Sequence, residues 1–329
     1  MRDIFSVGIL GTGSAVPEKI LTNQDFEKIV DTTDEWITTR TGIKERRICS
    51  PEQASSDLAI AAGKKAIEMA GITPQDLDLI VCATFTGDTP CPATACHIQY
   101  ALGNNRCAAF DVNAACSGFI YGCAIAKGLI NIGTAKYALV IGVDTLSKYT
   151  DYQDRGTCVL FGDAAGAAVI GPVEDNKGFL AEYLGADGSL KDLIIVPAGG
   201  SRKPASIETV SNREHYVKMA GNEVFKFAVR IMNHALEKAL EKCGLSASDL
   251  DWVIPHQANI RILESAARKL NIPIEKMWIN IDKYGNSSAG TVPLALDEAI
   301  RSGRLKKGHK VALVAFGAGL TWGASIFQY

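Results

Sequence analysis

Continuous apolar runs alternate along the chain with segments whose apolar positions recur every three or four residues. Ile4–Leu10, Leu77–Ala83, Ala108–Val112, Tyr137–Val143, Ala164–Ile170, Leu250–Ile254 and Lys310–Phe316 predict strands. Being apolar throughout rather than alternately, they predict strands covered on both faces. Ser55–Ala70, Ser117–Ile130, Asn222–Cys243, Ile260–Leu270 and Ser288–Arg301 predict the intervening helices. Such alternation predicts an α/β fold of mixed, mostly parallel sheets covered by helices.

The pattern also repeats. Lys65-Ala-Ile-Glu-Met-Ala-Gly71, continuing to Asp76-Leu-Asp78, returns 173 positions later as Lys238-Ala-Leu-Glu-Lys-Cys-Gly244 and Asp249-Leu-Asp251. Ala138-Leu-Val140 returns as Ala312-Leu-Val314 at nearly the same offset. Two well-separated matches at one offset predict duplicated halves, 1–173 and 174–329. Between Gly185 and Arg213 the chain is polar and rich in Gly, Ser and Lys, a long surface excursion of the kind that is usually functional or mobile.

Composition narrows the class. With 329 residues, 47% hydrophobic, the chain has ample material for a large core, which excludes a disordered chain or a disulfide-stapled scaffold. No apolar run approaches the roughly 20 residues of a membrane span. A net charge of −2 argues against bulk nucleic-acid binding. Nine cysteines, an odd number with no Cys-x-x-Cys pair, fit the reducing cytosol, so a cytoplasmic protein is expected.

Three positions stand out chemically. Cys116, in Asp111-Val-Asn-Ala-Ala-Cys-Ser-Gly-Phe119, follows a buried strand and opens a helix. There the helix dipole favours thiolate, and small neighbours let a substrate approach. The other eight cysteines read as packing residues. His256, in Pro255-His-Gln-Ala-Asn259, lies just past a strand, where functional groups of α/β sheets gather. Its repeat counterpart is Ala83, so the fold alone does not demand a histidine. Asn286 opens a polar turn before a helix, for which capping is the ordinary explanation. The glycine-rich Phe316–Gly323 predicts a turn between two strands whose backbone N–H groups could face an oxyanion. Gly11-Thr-Gly13-Ser-Ala-Val16 lacks the third glycine of a dinucleotide fingerprint and reads as a tight turn leaving a strand. Cys91, Cys96 and His97 have no zinc-site spacing, so no metal is expected.

Taken in order, Thr32-Thr-Asp-Glu-Trp-Ile37, Arg40-Thr-Gly-Ile43, Asp111–Phe119, Asp154-Arg-Gly156, Phe161-Gly-Asp-Ala-Ala-Gly166, Met219-Ala-Gly-Asn-Glu-Val-Phe225, Pro255-His-Gln-Ala-Asn-Ile-Arg261 and Tyr284-Gly-Asn286 resemble the β-ketoacyl-acyl-carrier-protein synthase III family. These are the initiating condensing enzymes of type II fatty acid synthesis, and the resemblance spans essentially the whole chain. It implies a thiolase-like fold of two α/β halves in αβαβα layers, and a homodimer. It implies a Cys116–His256–Asn286 triad, where the elongating condensing enzymes pair two histidines with their cysteine. It also implies an oxyanion hole from the N–H groups of Cys116 and Ala318. The implied reaction joins a short acyl-CoA primer to malonyl-acyl-carrier protein, through an acyl-cysteine and without metal or organic cofactor. Trp36 and Arg155 would sandwich the CoA adenine, with Arg40, Thr41, Gly156, Asn222 and Asn259 along the pantetheine and phosphate path. Acyl carrier protein would dock on Gln257, Ala258, Asn259, Ile260, Arg261, Arg268 and Lys269, with Lys226 as a further contact. Phe225 and Cys91 would wall the acyl pocket. Cys91-Pro92 stands where acetyl-selective members carry a bulky aromatic, which predicts room for longer or branched primers. A related acyltransferase or hydroxymethylglutaryl-CoA-synthase-type enzyme, which does not decarboxylate malonyl groups, is the alternative reading.

Overall fold

The computed structural model describes residues 6–175 and 177–329. Ile4 and Phe5, at the start of the first predicted strand, lie outside the described residues. Five strands form one sheet in the order Val7–Ala15, Asp163–Pro172, Ala138–Thr145, Leu79–Ala83 and Ala108–Val112. Four form a second in the order Trp252–Pro255, Lys310–Gly317, Thr321–Gln328 and Gly178–Ala186.

Both sheets are mixed, but antiparallel pairing is commoner than the alternation predicts. Leu79–Ala83 is parallel to both its neighbours, and Trp252–Pro255 to Lys310–Gly317. The other four pairings of these two sheets are antiparallel. A parallel neighbour needs a long crossover, whereas the short connection between Gly317 and Thr321 allows only reversal. The strand Gly178–Ala186, at the edge of the second sheet, has a half-polar pattern that the apolar-run criterion passes over.

Apolar strands with two covered faces divide their side chains between two cores. Leu79, Val81, Ala138 and Val140 enter a central core with the helices Gly118–Asn131 and Thr291–Arg301. Their neighbours Ile80, Cys82, Leu139 and Ile141 pack outward against the helix Ser55–Ala70. On the second sheet Val253, Ala312 and Val314 pack outward against Gly221–Cys243 and Ile260–Lys269. The stack is therefore helix, sheet, helix, sheet, helix. No helix of the described residues is long and apolar enough to cross a membrane.

The repeated segments fold alike. Gly71 and Gly244 both end helices in the left-handed region, with φ of 68° and 67°. Each is followed by a 3₁₀ turn whose opening Thr73 or Ser246 is held by Asp76 or Asp249. Gly11 and Gly13 correct the sequence reading. They lie within a strand rather than in a turn leaving it. A Cβ on Gly13 would lie 2.2 Å from the Ala62 carbonyl oxygen, so these glycines let the helix Ser55–Ala70 approach the sheet.

Candidate active site

The strand Ala108–Val112 lies at the sheet edge and is half-buried with Ala108 exposed, rather than covered on both faces as its apolar run predicts. It feeds the 3₁₀ turn Ala115–Ser117, which carries Cys116 to the head of the helix Gly118–Asn131. Ala115 takes the left-handed φ of 45° at this turn. A Cβ on Gly317 would lie 2.6 Å from the Cys116 nitrogen, so glycine lets the end of another strand approach the turn. The sequence position at a helix N-terminus favours thiolate, but burial outweighs it. The Cys116 thiol is pushed up to about 12 by burial, with the Asp144 carboxylate adding to the rise and Ser288 opposing it.

His256 follows the strand Trp252–Pro255 directly, and its N–H donates to the Val314 carbonyl at 2.8 Å. The ring is 1% exposed and stands edge-on to Phe316 at 5.5 Å. Its Nδ1 pairs with Thr291 Oγ1 at 2.7 Å. Burial lowers its pKa to about 3, so the imidazole is neutral at physiological pH.

Asn286 is fixed from two sides. Its N–H donates to the Leu160 carbonyl at 2.9 Å, and its carbonyl accepts from Gly162 N–H at 3.0 Å. Its side-chain Oδ1 accepts the Ser288 N–H at 2.9 Å from one residue before the cap position of the 3₁₀ turn Ser288–Gly290, which Ser287 occupies. That bond orients the amide, because Nδ2 makes no hydrogen bond among the described residues and is left as a donor. Cys116, His256, Asn286 and Ala318 all line one cavity of about 690 Å³. Two strand ends, the turn after the helix Ile281–Tyr284 and the Phe316–Gly323 turn thus converge on one space.

The remaining walls are largely apolar. Phe85, Leu146 and Phe161 belong to them, as does Phe225, one of the two expected acyl-pocket residues. Ile194 and Val196 come from the Gly185–Arg213 excursion, which thereby contributes to the cavity instead of being wholly superficial. Cys91 is exposed and is not part of the cavity wall formed by this chain. The other members missed by sequence reasoning are polar and buried: Ser288, Thr291 and Asp144. Asp144 carried a signal, a carboxylate closing an otherwise apolar strand.

Trp36, Arg40 and Arg155 come together on the surface. The guanidinium of Arg155 lies 5.1 Å from the Trp36 ring centre, and that of Arg40 lies 5.8 Å from it. A flat base between Trp36 and Arg155 needs about 7 Å, two van der Waals contacts, so Arg155 must swing outward to admit one. Asn259 caps the helix Ile260–Lys269 and donates from Nδ2 to the Arg40 carbonyl at 2.9 Å, joining this cluster to the cavity it also lines. Gly156 and Asn222 are exposed. Thr41 is not available as expected: it is 4% exposed, its hydroxyl donates to the Ile37 carbonyl and accepts from Ile43 N–H.

On the proposed docking helix Arg261, Arg268 and Lys269 are exposed, as is Lys226 on the neighbouring helix. Ala258 and Ile260 are half-buried. Glu264, also exposed, interrupts the basic face between Arg261 and Arg268. Gln257 departs from expectation. It is 1% exposed, donates to the Pro255 and Trp278 carbonyls and accepts from Asn280 N–H, so it has nothing left to offer a partner. Among the described residues no group of three or more His, Cys, Asp or Glu side chains is placed to hold a metal ion.

Comparison with known proteins places the chain in a family. Residues 110–188 match the family model for 3-oxoacyl-[acyl-carrier-protein (ACP)] synthase III, and residues 240–329 match that for its C-terminal part. The chain is 56% identical over 329 residues to the β-ketoacyl-[acyl-carrier-protein] synthase III of Caldanaerobacter subterraneus subsp. tengcongensis, covering 100% of this chain and 99% of that one. It is 54% identical over 322 residues to the enzyme of that name from Clostridioides difficile, with 98% of each chain covered. Among solved structures, 3-oxoacyl-[acyl-carrier-protein] synthase III from Aquifex aeolicus VF5 superposes with a TM-score of 0.91 at 48% identity, covering 98% of this chain and 100% of that chain. The chain belongs to the β-ketoacyl-acyl-carrier-protein synthase III family.

Proposed function

We propose that this chain condenses a short acyl-CoA with malonyl-acyl-carrier protein, releasing CoA and CO2 and leaving a β-ketoacyl group on the carrier. The observation that carries this reading is the convergence of Cys116, His256 and Asn286 on one largely apolar cavity. In the first half-reaction the Cys116 sulfur attacks the acyl-CoA thioester carbon. The thiol is raised and His256 stays neutral, so the resting pair carries no charge. The thiol proton leaves as attack begins and ends on the CoA sulfur. N–H groups of Cys116 and Ala318 hold the tetrahedral oxyanion.

In the second half-reaction malonyl-carrier protein enters and its C–C bond to the carboxylate breaks, releasing CO2. The electron pair moves onto the thioester as an enolate, held by hydrogen bonds from Asn286 Nδ2 and from His256 Nε2, in the tautomer whose Nδ1 accepts the Thr291 hydroxyl hydrogen. The enolate carbon attacks the acyl-cysteine, and the Cys116 sulfur leaves with the pair and regains a proton. Asn286 suits this role because its Oδ1 is already engaged, so only donor hydrogens face the reactants.

The exposed Arg261, Arg268, Lys269 and Lys226 suit an acidic carrier protein, and the Trp36–Arg155 pair suits the CoA base. Residues 1–173 and 174–329 are duplicated halves in this reading, and two copies of the chain form the working dimer in the cytoplasm. No metal or organic cofactor has a step to perform. Incubation with isotopically labelled acyl-CoA, then peptide mapping, should place the acyl group on Cys116. Added malonyl-carrier protein should then yield CO2 and a β-ketoacyl product. Acylation elsewhere, or product without CO2, would overturn the reading in favour of a non-decarboxylating acyltransferase.

A further inference from the structure

Asp144 closes the strand Ala138–Thr145 and is 0% exposed, behind the cavity. Its Oδ1 accepts from Thr84 Oγ1 at 3.0 Å, Phe85 N–H at 3.0 Å, Thr86 N–H at 3.1 Å and Thr86 Oγ1 at 2.9 Å. Its Oδ2 accepts from Ala289 N–H at 3.2 Å. One carboxylate therefore ties the loop that carries Phe85, a wall of the cavity, to the 3₁₀ turn Ser288–Gly290 that follows Asn286.

Among the described residues no other acceptor holds the Ala289 N–H. Asn286 is anchored ahead of the turn by Leu160 and Gly162, and Asp144 grips the turn beyond it. Ser288, between them, takes a left-handed φ of 50° without being glycine, a conformation that persists only where its surroundings enforce it. The Ala289 carbonyl seats against Gly142 so closely that a Cβ there would lie 2.1 Å from its oxygen.

We infer that Asp144 is a positioning residue for the second half-reaction, holding the Asn286 turn at its working distance from Cys116 through the Ala289 N–H. The inference rests on the proposed function, and its chemistry is that of a pure acceptor: burial raises the Asp144 pKa, and the five donors directed at its two oxygens oppose that rise. An amide in its place would keep its oxygen toward the four donors of the Thr84–Thr86 loop. Its NH2 would then meet the Ala289 N–H, donor against donor, and push the turn away. The same charge acts on the nucleophile, since Asp144 contributes to raising the Cys116 thiol.

Two substitutions test this from opposite sides. Asp144→Asn should lower malonyl-carrier-protein decarboxylation by about 10²-fold, the usual effect of displacing a reacting group by about 1 Å. Acylation of Cys116 by acyl-CoA should fall far less. Gly142→Ala displaces the same turn without touching the charge, so it should lower decarboxylation in the same way, with acylation of Cys116 again falling far less. A merely structural carboxylate predicts equal loss of both half-reactions; that result in Asp144→Asn, or full decarboxylation in Gly142→Ala, overturns the inference. If the unsubstituted protein itself fails to decarboxylate, the proposed function falls instead, which the two variants alone would not show.

Discussion

Replacing Asn286 by aspartate and by alanine separates two things that its side chain does. In the folded chain Oδ1 accepts the Ser288 N–H at 2.9 Å, while Nδ2 is the donor left for substrate. Aspartate keeps an acceptor for Ser288 and removes every donor hydrogen. Alanine removes both. Losing one donor to a developing oxyanion lowers a rate by roughly 10²–10³, or about 2.7–4 kcal/mol of transition-state stabilisation. Losing the acceptor of a backbone N–H lowers stability by about 1 kcal/mol. The Asn286→Asp protein is thus expected to fold with nearly unchanged stability yet to release CO2 from malonyl-carrier protein at least about 10²-fold more slowly. Asn286→Ala should show the same kinetic loss and a lower denaturation midpoint. In both, acylation of Cys116, followed by intact-protein mass after a brief acyl-CoA exposure, should be much less affected. Decarboxylation by Asn286→Asp at the unsubstituted rate would refute the donor argument. Equal loss in both half-reactions would refute its assignment to the second.

His256 makes the fold acid-labile. It titrates at about 3 when folded and near 6.5 when unfolded, so the unfolded chain takes up the proton first as pH falls. The stability present above about pH 6.5 is lost toward pH 3 by up to roughly 1.4 kcal/mol per pH unit. Denaturant midpoints measured between pH 7 and pH 5 should fall less steeply in His256→Gln, and parallel slopes would contradict this account. At Gly13 a Cβ would meet backbone atoms of Ala62 and Ala66 at 2.2 and 2.6 Å, so Gly13→Ala should destabilise by about 1–3 kcal/mol; an unchanged urea midpoint would show that the helix is not held so closely. Reversing the exposed charge in Arg261→Glu should raise KM for malonyl-carrier protein well above its effect on KM for acyl-CoA, measured in the coupled condensation assay. Equal effects would remove the docking role.

What was legible in the sequence follows from which interactions have a period. The bounds of the helix Ser55–Ala70 are legible because its apolar positions face a core that extends along the whole element, whereas the strand Ala108–Val112, legible with the same bounds, is an edge strand and only half-buried. The repeat was legible for a similar reason: Gly71 and Gly244 are each required by a left-handed helix end, and the Asp–Leu–Asp that follows serves a turn and then a strand. Local chemistry of this kind leaves its mark on adjacent residues. The direction of each sheet pairing leaves no such mark, since an all-apolar strand suits either a parallel or an antiparallel neighbour equally well. The strand Val7–Ala15 shows the same limit, because its glycines look like a turn until the helix lying on them is seen.

The site divides along the same line. Cys116, His256 and Asn286 could be singled out because each stands where a strand or turn hands over to a helix, and the family resemblance then named them together. Gln257 and Thr41 sit in the same motifs, yet their polar groups are consumed within the chain, by Asn280 and Trp278 in one case and by Ile37 and Ile43 in the other. A motif records that a residue type is needed and not whether it is needed for substrate or for the loop that presents substrate. The thiol shows why the distinction is physical. Its place at a helix head argues for a lowered pKa, and the cavity that gives it a substrate also strips away the water that would stabilise the thiolate. Burial depends on what Ser288, Asp144 and the Phe316–Gly323 turn bring over it from positions distant in the chain, so its sign could be obtained only from the fold.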